Sequence, residues 1–169
     1  EIDPNSFLPS TRSIAFLKST WGKAGKFNPK YIMGEDTLFS LILRNNGSKI
    51  FFNPNAVVVW NAEKSLFRMF RKIFNYSKWD GKGNLNNKFY YKMILKLFFA
   101  AILLIISFVN NIALFVFLSI VILFLIKTFL TARKKRLGIL PSIAAAFLKP
   151  IYNFAQAFGF IFGRITEIK

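Results

Sequence analysis

A chain of 169 residues would by its length alone be expected to form one soluble domain. Its 54% hydrophobic residues, 22 phenylalanines and net charge of +17 instead suit a protein that is partly solvated by lipid. The sequence contains no histidine and no cysteine, which excludes zinc sites, cysteine nucleophiles and histidine bases. The charge favours a negatively charged partner, which is anionic lipid, nucleic acid or a phosphate-bearing substrate.

Residues 1–86 predict a compact α/β unit, because polar and apolar residues alternate there between turns rich in asparagine, glycine and proline. Ser13 to Phe16 and Lys49 to Phe52 have short strand character. The β-branched run from Ala56 to Trp60 predicts a buried strand.

An acidic pair, Glu35-Asp36, opens a predicted helix in which Leu38, Leu41 and Ile42 recur at helical spacing and Asn46-Gly47 supplies a stop. The pair holds two of only seven acidic residues, and no other acid lies next to a second one. A carboxylate base needs a fixed and partly sheltered position, so most acid and base chemistry of this chain must pass through the pair. A structural role also fits, because acids in a first helical turn can cap free amides.

A second helix is predicted from about Ala62 to Ser77, with apolar residues on one side and basic residues on the other. Two long apolar stretches follow, Met93 to Val109 and Ile112 to Leu130, separated by Asn110-Asn111. Each approaches the roughly 30 Å of a bilayer core, so residues 87–136 predict a transmembrane helical hairpin.

The charges beside the hairpin predict its orientation. Lysines precede the first stretch, a basic run follows the second, and the connecting asparagines carry no charge. By the positive-inside rule both ends lie in the cytoplasm. We therefore expect a multi-pass protein of the cell membrane with residues 1–86 in the cytoplasm.

Residues 137–169 predict an amphipathic helix at the membrane interface. From Pro150 onward an apolar stripe faces away from polar residues, which favours an interfacial helix over a third span. Gly159 and Gly163, four residues apart, would let another helix approach closely.

Several short segments of residues 1–58, in their order and spacing, carry a resemblance to a known family. They are Pro9-Ser10-Thr11-Arg12-Ser13-Ile14-Ala15-Phe16, Gly25-Lys26-Phe27, Gly34-Glu35-Asp36-Thr37, Leu41-Ile42-Leu43-Arg44, Gly47-Ser48-Lys49-Ile50 and Pro54-Asn55-Ala56-Val57-Val58. This order resembles the C-terminal part of the family 2 glycosyltransferase catalytic domain. The hairpin and the ending Phe158-Gly159-Phe160-Ile161-Phe162-Gly163 resemble membrane-anchored members of that family.

The resemblance implies an α/β fold of the GT-A type, an inverting mechanism, a nucleotide-sugar donor and an acceptor hydroxyl on a glycan or a lipid-linked glycan. Asp36 matches the general base of the family, and Glu35 matches a residue that supports it. The family's Asp-x-Asp motif, which binds a divalent Mg or Mn ion, does not occur in this sequence. We therefore expect the metal ligands and the donor-binding half outside this chain, which begins at Glu1 rather than at a methionine and should be inactive alone.

The same comparison suggests further substrate-binding residues. The segment Ser65-Leu66-Phe67-Arg68-Met69 keeps only the arginine of the Gln-x-x-Arg-Trp motif of processive synthases, which favours transfer of one or a few sugars. Arg12, Arg68 and Arg71 are candidates for phosphate contacts, although anionic headgroups are the commoner partner of such arginines. Tyr76 and Trp79 are candidates for stacking on a sugar or an acceptor.

Two other functions stay open at this point. The chain could be a noncatalytic module that anchors a partner to the membrane, with the basic side of residues 62–96 on anionic lipid and the acidic pair as a helix cap. Nucleic-acid binding fits the charge, but the basic residues cluster around apolar stretches and no recognised binding motif occurs, so we expect no nucleic-acid partner.

Overall fold

The computed structural model describes residues 9–11, 13–59, 63 and 65–166. Within these ranges the chain is all-helical and contains six α-helices and no β-strand. The helices are α1 (Lys18–Lys23), α2 (Glu35–Asn45), α3 (Leu66–Lys82), α4 (Asn87–Ser107), α5 (Asn111–Lys134) and α6 (Ile139–Ile165).

The predicted α/β fold of residues 1–86 is therefore wrong, and so is the GT-A sheet that the resemblance implied. The segments 13–16, 49–52 and 56–59 are not helical, but in the described part of the chain they pair with no other strand. A β-strand is stable only where a neighbouring strand forms hydrogen bonds with its backbone N–H and C=O groups. A segment that has β propensity but no partner strand therefore remains irregular. Val57 and Val59, predicted to be buried, are 78% and 90% exposed, and Trp60 lies outside the described residues.

A small core joins α1 and α2. Phe39 is 2% exposed, and its ring centroid lies 5.1 Å from that of Phe16 and 4.9 Å from that of Phe27. Ala24 and Leu43 complete the buried cluster. The helix predicted after the acidic pair is present, and it ends as predicted because Gly47 takes the left-handed conformation (φ 72°) that reverses the chain.

α3 and α6 pack along one another through residues without large side chains. A Cβ on Gly159 would collide with the carbonyl oxygen of Phe74, and one on Gly163 with that of Lys78. The predicted close approach at these two glycines is thus confirmed, and its partner is α3. α3 also extends beyond its predicted end at Ser77 to Lys82.

Two helices, α4 and α5, are long and apolar enough to cross a membrane. Their apolar side chains are largely exposed, as at Ile105 (67%) in α4 and Phe115 (78%) in α5. The side-chain oxygen of Asn110 accepts hydrogen bonds from the backbone N–H groups of Ile112 (2.8 Å) and Ala113 (3.2 Å). This cap separates the two helices at the predicted position.

α6 covers most of the range predicted to be helical, residues 137–169, and Pro150, where the predicted apolar stripe begins, lies inside the helix. Its small residues face α3, while the apolar stripe predicted from the sequence stays exposed, as at Ile151 (51%), Phe158 (63%) and Ile165 (78%). α6 therefore has one face for α3 and another available to lipid.

Candidate functional site

The acidic pair occupies the first turn of α2, as the sequence predicts. Gly34 precedes it with φ 80°, a conformation that glycine adopts without strain. The carbonyl oxygen of Gly34 accepts the first helical hydrogen bond, from the N–H of Leu38 at 3.0 Å. Glu35 and Asp36 are both half-buried, so each carboxylate is sheltered but still reachable from solvent.

Backbone amides hold the Asp36 carboxylate on both of its oxygens. Oδ2 accepts a hydrogen bond from the N–H of Thr11 at 3.2 Å, and Oδ1 accepts one from the N–H of Thr37 at 2.8 Å. The hydroxyl of Ser40 donates to the carbonyl oxygen of Pro9 at 3.1 Å, which ties the same loop to α2 a second time. The two backbone hydrogen bonds fix the Asp36 carboxylate in place. Because an ionised carboxylate can accept about four hydrogen bonds, it retains lone pairs for another donor.

Glu35 faces a different space. A cleft of about 300 Å³ lies beside α2, and Glu35, Lys26 and Asn28 contribute its polar lining. This volume is at the lower end of the range for small-molecule sites. Since Asp36 bonds to the 9–11 loop instead, the two carboxylates do not act as one dyad.

A larger groove of about 930 Å³ runs between residues 13–20 and 48–58. It is lined by apolar side chains such as Ile14 and Val58 together with Lys49, and none of its described lining residues is acidic. It therefore offers shape and apolar surface but no base.

The structure separates the other predicted substrate-binding residues. Arg12 lies outside the described residues. Arg71 and Tyr76 are exposed on α3. Trp79 is half-buried, and its ring centroid lies 5.9 Å from that of Tyr31. Among the three that the structure describes, Trp79 is the one whose contacts lead toward the acidic pair.

Tyr31 belongs to the loop that ends at Gly34, and this loop touches the turn between α3 and α4. A Cβ on Gly83 would lie 2.7 Å from the Tyr31 hydroxyl oxygen, and a Cβ on Gly34 would lie 3.8 Å from Cδ1 of Leu85. The sequence analysis missed this contact. The signal for it was Gly81-Lys82-Gly83, since a glycine at the end of a helix often marks a close backbone approach.

A buried polar cluster joins α3, α4 and α6, and the sequence analysis missed it too. Tyr90 is 3% exposed, donates a hydrogen bond from its hydroxyl to Oδ2 of Asp80 at 2.7 Å and lies 3.2 Å from Oγ of Ser77. Its ring stacks on Phe160 at 4.2 Å. Burial raises the pKa of Asp80, and the hydrogen bonds from Tyr90 and Asn86 oppose this rise.

The described residues contain no group of three carboxylate side chains that could hold a metal ion. The divalent metal that the resemblance implies, with ligands outside this chain, thus finds no fitting set of ligands among the described residues. No protein-family model, curated protein or solved structure matches this chain. The motif order and the geometry of the acidic pair are therefore the features that bear on function.

Proposed function

We propose that this chain is part of a membrane-bound inverting glycosyltransferase that moves a sugar from a nucleotide-sugar donor to an acceptor hydroxyl, one or a few sugars at a time. The observation that carries the proposal is the position of Asp36, which is half-buried in the first turn of α2 and fixed by the amides of Thr11 and Thr37. A general base needs this combination of fixed position and partial shelter. The motif order around the pair supports the same activity.

In the proposed reaction Asp36 accepts the proton of the acceptor hydroxyl. The hydroxyl oxygen then forms a bond to the anomeric carbon of the donor sugar. The bond between that carbon and the donor phosphate oxygen breaks, and the nucleotide leaves with the electron pair. One direct displacement inverts the anomeric centre, and a hydroxyl is too weak a nucleophile to achieve it without a base.

Glu35 has a supporting role in this proposal. Its carboxylate lines the cleft of about 300 Å³ together with Lys26 and Asn28. These groups offer a hydrogen-bond acceptor and donors to a polar substrate. The donor and a divalent Mg or Mn ion would be bound by another part of the polypeptide, because the described residues offer no fitting set of ligands.

The proposed location is the cell membrane, with the acidic pair on the cytoplasmic side. It is supported by two helices that could cross the membrane and by the basic residues beside them, Lys88 and Lys92 at one end and Arg133 to Arg136 at the other. Positive charge of this kind is retained in the cytoplasm.

Asp36→Asn in the full-length protein tests the proposal. An amide cannot take up the proton but keeps one oxygen for a backbone N–H, so we expect kcat to fall about 10²- to 10⁴-fold while folding and membrane association persist. The measurement is transfer of radiolabelled sugar to the lipid and glycan fractions of membranes. Glu63→Gln is the matched control, because it removes an exposed carboxylate that pairs with Lys72 on the surface. Unchanged sugar transfer by the Asp36→Asn protein would contradict the assignment of Asp36 as the general base.

A second candidate function is a noncatalytic membrane-anchoring module. One observation favours it: both oxygens of Asp36 already accept backbone N–H groups, as a structural cap would. In that case Asp36→Asn lowers stability and changes no sugar transfer. Binding to vesicles with anionic lipid would then depend on the exposed arginines Arg68 and Arg71 of α3.

A further inference from the structure

Two hydrogen bonds fasten the 9–11 loop to one face of α2. The N–H of Thr11 donates to Oδ2 of Asp36 at 3.2 Å. One helical turn later, the hydroxyl of Ser40 donates to the carbonyl oxygen of Pro9 at 3.1 Å. Asp36 and Ser40 are four residues apart, so their side chains follow one another on the same face of the helix. The loop is therefore held at two points, and one of them is the candidate base.

The contact between Ser40 and Pro9 is shielded from water. Ser40 is 0% exposed, and Pro9 is buried as well. Water therefore cannot take the place of the Ser40 hydroxyl unless the loop moves. A buried carbonyl oxygen that loses its donor bears the cost of desolvation without compensation. Loss of the Ser40 hydroxyl should hence displace the loop from α2.

A displacement at Pro9 would reach Thr11, which is two residues away. The N–H of Ser13 donates to the carbonyl oxygen of Ser10 at 2.9 Å, so a tight turn directly follows Pro9. A hydrogen-bonded turn resists stretching. A shift at its start therefore carries the N–H of Thr11 away from Asp36.

The hydrogen bond from Thr11 orients Asp36 from outside its own helix. The N–H of Thr37, which donates to Oδ1 at 2.8 Å, belongs to the next residue of α2 and stays in place if the loop leaves. With Oδ1 alone held, the carboxylate can turn about its side-chain torsions. A catalytic group that is misplaced by about 1 Å can cost about 10²-fold in rate.

We propose that Ser40 is a positioning residue for sugar transfer: its hydroxyl holds the 9–11 loop against the carboxylate of Asp36. The proposal rests on the proposed function, because it concerns the base of that reaction. Ser40 has no exposed surface, so it does not contact a substrate itself. It acts through Asp36, which is half-buried and reachable from solvent.

Ser40→Ala in the full-length protein tests the proposal through the separate effects on kcat and KM. We expect kcat for sugar transfer to fall about 10- to 10²-fold, because the base is no longer held in place. The KM values for donor and acceptor should stay within about twofold, because the buried hydroxyl makes no substrate contact. Ser40→Thr keeps a hydroxyl at this position and should recover most of the lost kcat.

Ser142→Ala is the matched control. Ser142 is also 0% exposed, and its hydroxyl donates to the carbonyl oxygen of Gly138 at 2.8 Å, but it lies in α6. We expect its kcat to stay within about twofold of the parent. Circular dichroism checks that both alanine variants fold. Equal losses of kcat in the two variants would make Ser40 an ordinary buried hydroxyl and would overturn the proposal.

A spectroscopic measurement follows the hydrogen bond itself and needs neither donor nor acceptor. In protein labelled with ¹⁵N-threonine in detergent micelles, the amide of Thr11 should exchange slowly with solvent, although the residue is exposed. Ser40→Ala should accelerate this exchange about tenfold, as expected for the loss of one hydrogen bond. Fast exchange at Thr11 in the parent, or slow exchange retained in Ser40→Ala, would overturn the proposal.

The two substitutions on α2 separate a failure of this proposal from a failure of the proposed function. If Asp36→Asn abolishes transfer while Ser40→Ala keeps the parental kcat, the role of Ser40 is wrong and the glycosyltransferase stands. If Asp36→Asn transfers sugar normally, the proposed function is wrong, and Ser40 has no base to position. A loss of kcat in both variants, with recovery in Ser40→Thr, supports both.

Discussion

Residues 13–59 and helices α3 to α6 are packed differently. In the first region a large side chain forms the core, at Phe39, which is 2% exposed. In the second region the contact between α3 and α6 is built from Gly159 and Gly163, and the phenylalanines of the candidate spans, such as Phe115, lie outside, although Phe160 is buried against Tyr90. The first arrangement suits water as solvent, and the second suits lipid, where close backbone contact replaces the hydrophobic drive for burial.

The two regions also divide the charges. The acidic pair lies in the first region, whereas α4, α5 and α6 carry lysines and arginines without any aspartate or glutamate. The acidic pair and the two candidate membrane spans thus occupy separate parts of the chain. They meet where Tyr31 contacts Trp79.

The largest effect should come from a side chain placed in the contact between α3 and α6. In Gly163→Leu the new side chain would meet the backbone of Lys78, which cannot move aside as a flexible side chain can. We expect α3 to separate from α6 and the free energy of unfolding to fall by about 3 kcal/mol or more. Unfolding in detergent micelles, followed by circular dichroism, measures this loss, and limited proteolysis should cut α3.

Gly22→Leu is the control for this substitution. Gly22 lies in α1 and has nothing within 4 Å of an added Cβ, so its change in stability should stay within about 0.5 kcal/mol. If the Gly163→Leu protein were as stable as the parent, α3 and α6 would not be in contact. The proposed difference in packing between the two regions would then be wrong.

A more local loss should follow Phe39→Ala. Removing a buried aromatic ring costs about 3 to 5 kcal/mol, but here it acts on the small core of residues 13–59 and leaves α4 and α5 untouched. Hydrogen exchange should accelerate in α2 and not in the two candidate spans. Phe51→Ala, at a position that is 86% exposed, is the control and should change little. Faster exchange throughout the chain would contradict the division into two regions.

Local sequence signals predicted the elements that depend on local chemistry. Glu35 to Asn45 forms a helix because apolar spacing, the acidic first turn and Gly47 agree with one another. Asn110 marks the break between the two apolar helices because its side chain caps the second one. The position of the acidic pair was predictable for the same reason.

Features that depend on partners distant in the sequence were not predictable. The run from Ala56 to Val59 has strong β propensity, but a ladder needs a second strand and the described residues supply none. Gly159 indicated a close approach without naming α3, which lies some eighty residues earlier. The divergence of Glu35 and Asp36 into two spaces depends on where the 9–11 loop folds back, which residue spacing does not encode.

The smallest effect should be a pH dependence of stability that comes from Asp80 in the second region. Burial raises the pKa of Asp80 above its ordinary value of 3.8. The folded protein therefore binds this proton more tightly than the unfolded chain does. The stabilising contribution is complete below the unfolded pKa and is lost as the pH rises through the folded pKa.

Asp80→Asn isolates this contribution because the amide mimics the neutral acid and still accepts a hydrogen bond from Tyr90. Relative to the variant, the parent should lose thermal stability as the pH is raised from about 3.8 toward neutrality, and the difference in Tm should level off once Asp80 is ionised. A difference of the opposite sign would mean that the hydrogen bonds from Tyr90 and Asn86 outweigh burial. The polar cluster would then favour the charged carboxylate, and the second region would contain a site built to hold a negative charge.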